Sequence, residues 1–250
     1  ASDEIRDIGI DEGLIWVVTD GGISNSDVRF GDWRSFSDKL PSKNTTCVAF
    51  SRDYVWIGTD KGVSRFDKLL EEWKDHVLPS VNDIVIVSET AWIATSDGIF
   101  RLDVDYDRIT QIDVNLPSKN TIKAISIGDF IWFITDLGIV RYEKKLNSWK
   151  TYGLSDGIVS YDINDVIIDG SKIWLATSNG ISIYDSVSDS WSEGTIYHNL
   201  LPSKNIKSLA IDGDNIWFLT EKGTSLYNNK TGSWRHFNSN NGLLDNSGQG

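Results

Sequence analysis

Polar side chains able to hold a ligand recur at two places in this chain. One is the phrase PSKN, at 41–44, 117–120 and 202–205, which carries Lys43, Lys119 and Lys204 with Asn44, Asn120 and Asn205. Asn82 and Asn164 fall at corresponding places in other copies. The second is a T-x-x-G phrase, whose interior residues include Asp20, Asp60, Asp97, Asp136, Asn179 and Glu221. Arg6 and Tyr161 depart from the copies near the same rim. Converged by a rigid scaffold, such ammonium groups, amides and carboxylates hydrogen-bond sugar hydroxyls or a peptide backbone. Two carboxylates such as Asp60 and Asp136, held close with split pKa values, would instead work as acid and base. Loop residues are also polar simply because loops are wet.

Other chemistry is thinner. His76 and His236 fall in expected outermost strands and read as solvent-facing. His198 lies in TIYHNL, before the last copy, and is the one histidine placed to reach the loop-rich face. DVDYD at 103–107 has the alternating carboxylates of a calcium loop but no loop glycine or terminal glutamate at the right spacing. It falls where other copies have an ordinary hairpin, so no metal site is assigned. Cys47, the single cysteine, sits in TTCVAF and reads as a small buried hydrophobe. No catalytic residue and no cofactor are assigned.

The elements that must position these groups are repeats. Six phrases share one pattern: IWVVTDGG at 15–22, VWIGTDKG at 55–62, AWIATSDG at 91–98, IWFITDLG at 131–138, IWLATSNG at 173–180 and IWFLTEKG at 216–223. Their tryptophans are 40, 36, 40, 42 and 43 residues apart. Seventeen residues after each stand Trp33, Trp73, Ile109, Trp149, Trp191 and Trp234, so all 11 tryptophans fall in two columns. A threonine follows each marker by three and a glycine by six. Residues 164–191 read as four short strands with turns between them: NDVIID, KIWLAT, ISIYD and one opening at WSEG. Four antiparallel strands every 40 residues is a propeller blade. The expected fold is all-β, a six-bladed β-propeller with four antiparallel strands per blade. It forms one domain over 1–250, with blades near 1–40, 41–78, 79–115, 116–155, 156–200 and 201–250. A fragment of a propeller with seven or more blades is the alternative. The tryptophans should fill wedges between blades, the glycines should need positive φ, and the threonine hydroxyls should bond loop backbone.

Bulk properties exclude some partners. A net charge of −12 without a basic stripe disfavours nucleic acid and anionic membrane surfaces. No apolar run approaches the roughly 20 residues needed to span a bilayer, and there is no signal-peptide pattern. The chain opens at Ala1 and contains no methionine, which reads as a processed or excised segment.

LPSKN at 40–44 with VWIGTDKGVSRFD at 55–67, and LPSKN at 116–120 with IWFITDLGIVRYE at 131–143, resemble the two-component regulator propeller repeat. The resemblance covers nearly the whole chain. It implies a sensor-type propeller in an extracytoplasmic place, periplasmic or secreted, and some members of that family recognise oligosaccharides. A weaker likeness, through IWFLTE at 216–221, is to streptogramin lyase repeats. It implies a catalytic histidine with a metal-binding glutamate, and no such pair can be placed here. The expected function is non-catalytic binding of an oligosaccharide or a peptide or protein segment on the loop-rich face. A propeller lyase or hydrolase using funnel carboxylates, and a scaffold without a small ligand, are the alternatives.

Overall fold

A computed structural model describes residues 4–194, 197, 199–240 and 243. Its architecture is six four-stranded antiparallel sheets, each a meander in chain order, which is the all-β, six-bladed propeller class. The first blade holds β1 (Ile5–Asp11), β2 (Leu14–Thr19), β3 (Gly22–Asp27) and β4 (Trp33–Ser35). The second holds β5 (Thr45–Phe50), β6 (Tyr54–Thr59), β7 (Gly62–Asp67) and β8 (Trp73–Val77). The third holds β9 (Val81–Val87), β10 (Thr90–Thr95), β11 (Gly98–Asp103) and β12 (Arg108–Gln111). The fourth holds β13 (Thr121–Ile127), β14 (Phe130–Thr135), β15 (Gly138–Glu143) and β16 (Ser148–Tyr152). The fifth holds β17 (Ile163–Asp169), β18 (Lys172–Thr177), β19 (Gly180–Asp185) and β20 (Ser190–Glu193). The sixth holds β21 (Ile206–Asp212), β22 (Asn215–Thr220), β23 (Gly223–Asn228) and β24 (Ser233–Phe237). Contacts group residues 1–135 and 139–151 into one compact unit, and 136–138 and 152–250 into another.

Within the first unit the blades pack through apolar wedges. Trp56 and Val63 of blade 2 meet Val81, Ile84, Ile93 and Phe100 of blade 3. Trp92 and Ile99 of blade 3 meet Ala124, Ile131 and Phe133 of blade 4. In the second unit Trp174 and Ile181 of blade 5 meet Ile206, Leu209 and Phe218 of blade 6. Trp16, Trp56, Trp132 and Trp174 are fully buried. Burying one tryptophan removes about 150–250 Å² from water, worth roughly 4–6 kcal/mol before the entropy of ordering it.

The threonine column closes its turns as expected. Thr59 Oγ1 donates to the Gly62 carbonyl at 2.9 Å and accepts from Lys61 N at 3.1 Å. The same pair of bonds recurs at Thr19, Thr95, Thr177 and Thr220. Gly62 has φ of 130°, and a Cβ there would run into the His76 carbonyl. The residue ending the third strand caps the next hairpin turn in five blades, through Asp27, Asp67, Asp103, Asp185 and Asn228. Asp67 Oδ1, for example, accepts from Leu69 N and Leu70 N, both at 2.9 Å.

Candidate functional site

The PSKN phrases are turns closed by their serines. Ser42, Ser118 and Ser203 each accept, through Oγ, the backbone N–H of Asn44, Asn120 and Asn205 at 3.2, 3.2 and 3.1 Å. Each phrase thereby delivers its asparagine beside the T-x-x-G turn of its own blade, since linker and turn lie at the same end of the strands.

In the first unit this end is already cross-bonded. Arg6 Nη1 donates to Asn44 Oδ1 at 2.6 Å, and Asn44 Nδ2 donates to Asp60 Oδ2 at 3.2 Å, so three candidates form one chain across blades 1 and 2. Asn82 Nδ2 donates to the Thr121 carbonyl at 2.8 Å and reaches Asn120 Oδ1 at 3.4 Å, bridging blades 3 and 4. Lys119 pairs with Asp97 at 3.1 Å and Lys43 with Asp38 at 2.8 Å. Asp20 occupies the turn after β2. Its Oδ1, like Asp60 Oδ1, is buried without a hydrogen-bond partner among the described residues.

In the second unit Asn164 Nδ2 donates to the Ile206 carbonyl at 2.7 Å, joining blades 5 and 6. Asn205 Nδ2 and Ser203 Oγ both donate to Glu221, at 3.3 and 2.9 Å, and Asn205 Oδ1 is a further buried acceptor without a partner. Tyr161 Oη accepts the Leu154 N–H at 3.0 Å. Lys204 lines a cleft of about 260 Å³ with Asn179 and Glu193, and Asp136 sits in the turn after β14.

Two of these carboxylates, Asp60 and Glu221, are held as anions. The Ser42 hydroxyl and Asn44 amide hold Asp60 below the usual carboxylate range, and Ser203 and Asn205 do the same for Glu221. A general acid needs a proton near the working pH, so neither is poised for that role. Asp103 Oδ1 is turned toward the backbone of Tyr106 and Asp107 pairs with Lys74 at 2.6 Å, so these two DVDYD carboxylates serve their hairpin and its neighbour. His76 corrects the sequence reading. It is not solvent-facing but packs 3.4 Å from Asp107, and burial lowers its pKa, because the fourth strand of blade 2 abuts the hairpin of blade 3. His236 bonds Ser225 Oγ through Nδ1 at 2.8 Å. His198 lies outside the described residues. Cys47 is buried and free, and burial pushes its thiol up.

Sequence reasoning missed three aspartates. A β-bulge near the start of β1, β9 and β17 sets Asp7, Asp83 and Asp165 to face the next blade. Asp7 Oδ2 accepts from Val48 N at 2.8 Å, Asp83 Oδ2 from Ala124 N at 2.9 Å and Asp165 Oδ2 from Leu209 N at 2.8 Å. Each also caps the following N–H of its own strand. Blades 1 and 2, 3 and 4, and 5 and 6 are thus clasped in pairs. The signal was present at twice the blade period, in RDIG, NDIV and NDVI.

Burial raises the Asp83 carboxyl to about 6, against the pull of the Ala124 N–H. Its ordinary value is 3.8, so between the two the folded chain binds more proton than the unfolded chain. The Asp83 contribution is therefore greatest below about pH 4 and is lost as pH rises through 6, by up to about 3 kcal/mol. Urea melts from pH 4.5 to 7.5 check this. The stability of the native chain minus that of Asp83→Asn should fall with rising pH. A flat difference contradicts it.

No family model matches the chain, and no curated protein matches it. Solved structures do. The extracellular domain of the putative hybrid two-component system BT3049 from B. thetaiotaomicron superposes with a TM-score of 0.72 at 18% identity, over 99% of this chain and 37% of that one. The extracellular domain of the putative one-component system BT4673 from the same organism gives 0.74 at 20% identity, over 98% and 35%. A computationally designed protein, Ika8, gives 0.69 at 12% identity, over 92% and 72%. The chain spans little more than a third of the two natural neighbours. At these identities the likeness is one of fold. No helix among the described residues is long and apolar enough to cross a membrane.

Proposed function

We propose that this chain is a non-catalytic, sensor-type binding module that takes an oligosaccharide at the linker and T-x-x-G ends of blades 1 and 2, in an extracytoplasmic place. The observation that carries this reading is the pair of buried acceptors Asp20 Oδ1 and Asp60 Oδ1, on the turns of adjacent blades. A buried acceptor without a donor costs about 1–3 kcal/mol. A ligand hydroxyl supplies that donor. The extracellular setting of the structural neighbours, domains of a putative hybrid two-component and a putative one-component system, supports the sensor role and the location. The commitment of Asp60 and Glu221 to anion-holding bonds argues for binding rather than turnover.

A thermal-shift screen against oligosaccharides and short neutral peptides tests the reading. A ligand at 100 times its Kd adds about 2.7 kcal/mol of stability. Asp20→Ala and Asp60→Ala should each weaken a sugar hit at least tenfold, about 1.4 kcal/mol. Peptide hits alone, or a sugar shift that survives both substitutions, overturn it. Chain cleavage of a sugar seen by chromatography would favour the enzyme alternative.

A further inference from the structure

A second cavity lies away from that end of the blades. A cleft of about 600 Å³ lies between the third and fourth strands of blades 1 and 2, with Trp16, Phe36, Phe66 and Trp73 as its aromatic wall. These rings pack on one another with centroids 4.9–6.2 Å apart. The Asn25 side chain lines the same cleft. It is only 6% exposed and its amide has no hydrogen-bond partner among the described residues. Glu12, Glu71 and Glu72 stand on the cleft lining beside Arg34 and Lys39, while Asp11 and Lys68 neutralise each other at 2.6 Å.

Three of the other five blades show one occupant of such a wall, while blades 5 and 6 carry Ile183 and Leu226 there. Nine residues after each marker tryptophan, blades 2, 3 and 4 carry Arg65, Arg101 and Arg141. Each guanidinium lies over an indole of its own blade: Arg65 is 5.7 Å from Trp56, Arg101 5.9 Å from Trp92 and Arg141 5.6 Å from Trp132. Arg65 also has a carboxylate nearby, Asp107 at 3.7 Å. In blade 1 the same position is Asn25, paired in register with Trp16. The asparagine stops short, and the space an arginine would fill is open cleft, lined by glutamates with no ion pair among the described residues.

We infer that this cleft binds the arginine side chain of a peptide or protein segment, its guanidinium over Trp16 and Asn25 and its charge met by Glu71 and Glu72. Cation–π attraction and charge-assisted hydrogen bonds both favour a guanidinium in that place. A segment rather than a free amino acid is indicated by the two hairpin turns flanking the cleft. They hold out Phe30, 72% exposed, and Leu69, 88% exposed, which adjacent apolar residues of a ligand chain would cover. This site goes beyond the sugar reading and does not rest on it.

Titration of the whole chain by tryptophan fluorescence and calorimetry tests the inference, using a blocked leucine–arginine–leucine tripeptide and its citrulline counterpart. The arginine peptide should bind at least tenfold tighter than the neutral isostere. Asn25→Arg, which copies blade 3 and fills the cleft from within, should weaken it at least tenfold, and the Glu71→Gln, Glu72→Gln double variant several-fold. Arg34→Ala, removing a like charge, should bind no worse than the native chain. Equal binding of the citrulline peptide, or native affinity in Asn25→Arg, overturns the site. Blocked arginine alone binding as tightly as the tripeptide overturns the segment. If Asn25→Arg does not fold, native affinity in the glutamate double variant overturns the site on its own. Asp60→Ala, which tests the sugar reading, should leave the peptide titration unchanged.

Discussion

Replacing Trp56 by alanine is expected to destabilise the protein by about 3–5 kcal/mol, as large-to-small changes at fully buried aromatic sites do. Trp56 is 0% exposed and inserts into the wedge between blades 2 and 3. Its Nε1 donates to Ser51 Oγ at 3.3 Å, and its face carries the Arg65 guanidinium. Truncation removes the indole and leaves Arg65 without its platform. At roughly 2–4 °C per kcal/mol for a chain of this size, the melting temperature should fall by about 10 °C. Val187→Ala, at a position 85% exposed in the β19–β20 turn, should stay within about 0.5 kcal/mol. Urea melts of both variants decide it. A loss below about 1 kcal/mol at Trp56 would mean that the wedge is not what holds these blades together.

The threonine and glycine columns were legible because local geometry sets them; the marker tryptophans mostly fill wedges as expected, but Trp33 of the second column is 58% exposed and fills none. A T-x-x-G turn needs one hydroxyl to close it and one residue at positive φ, and both requirements stay within four residues. The Cys47 environment followed from its apolar strand. The linker residues were legible as a cluster but not as a network. Whether Asn44 meets Arg6 or Asn82 meets Thr121 depends on what another blade offers 38 or 39 residues away. His76 misled for the same reason, since its neighbour Asp107 belongs to the next blade. The cleft over Trp16 was hidden because its cause is a missing residue. Asn25 is unremarkable alone and informative only beside Arg65, Arg101 and Arg141.

The clasp aspartates add a level of organisation above the blade. Asp7, Asp83 and Asp165 are 76 and 82 residues apart, and the corresponding positions of the even blades are Cys47, Lys123 and Ser208. The module is therefore two blades, joined by a carboxylate that serves both.

Asp165→Ala tests this within the second unit. The carboxylate accepts Leu209 N and Ser208 Oγ through Oδ2, both at 2.8 Å, and Val166 N through Oδ1 at 2.8 Å. Alanine leaves two backbone N–H groups and a hydroxyl without their acceptor in a half-buried seam. Bonds to a charged group are worth about 1.5–3 kcal/mol each and are not additive, so a loss of about 3 kcal/mol is expected. Because the clasp joins blades 5 and 6, amide exchange should quicken first at Leu209 and Val166, with Val48 and Ala124 protected as in the native chain. Asp162→Ala, in the preceding linker, removes a carboxylate that clasps nothing and should cost under about 1 kcal/mol. Uniform loss of protection at all three clasps would show that the paired-blade module is not an independent unit of stability. Loss confined to blades 5 and 6 would show that stability is organised two blades at a time, one level above the repeat visible in the tryptophans.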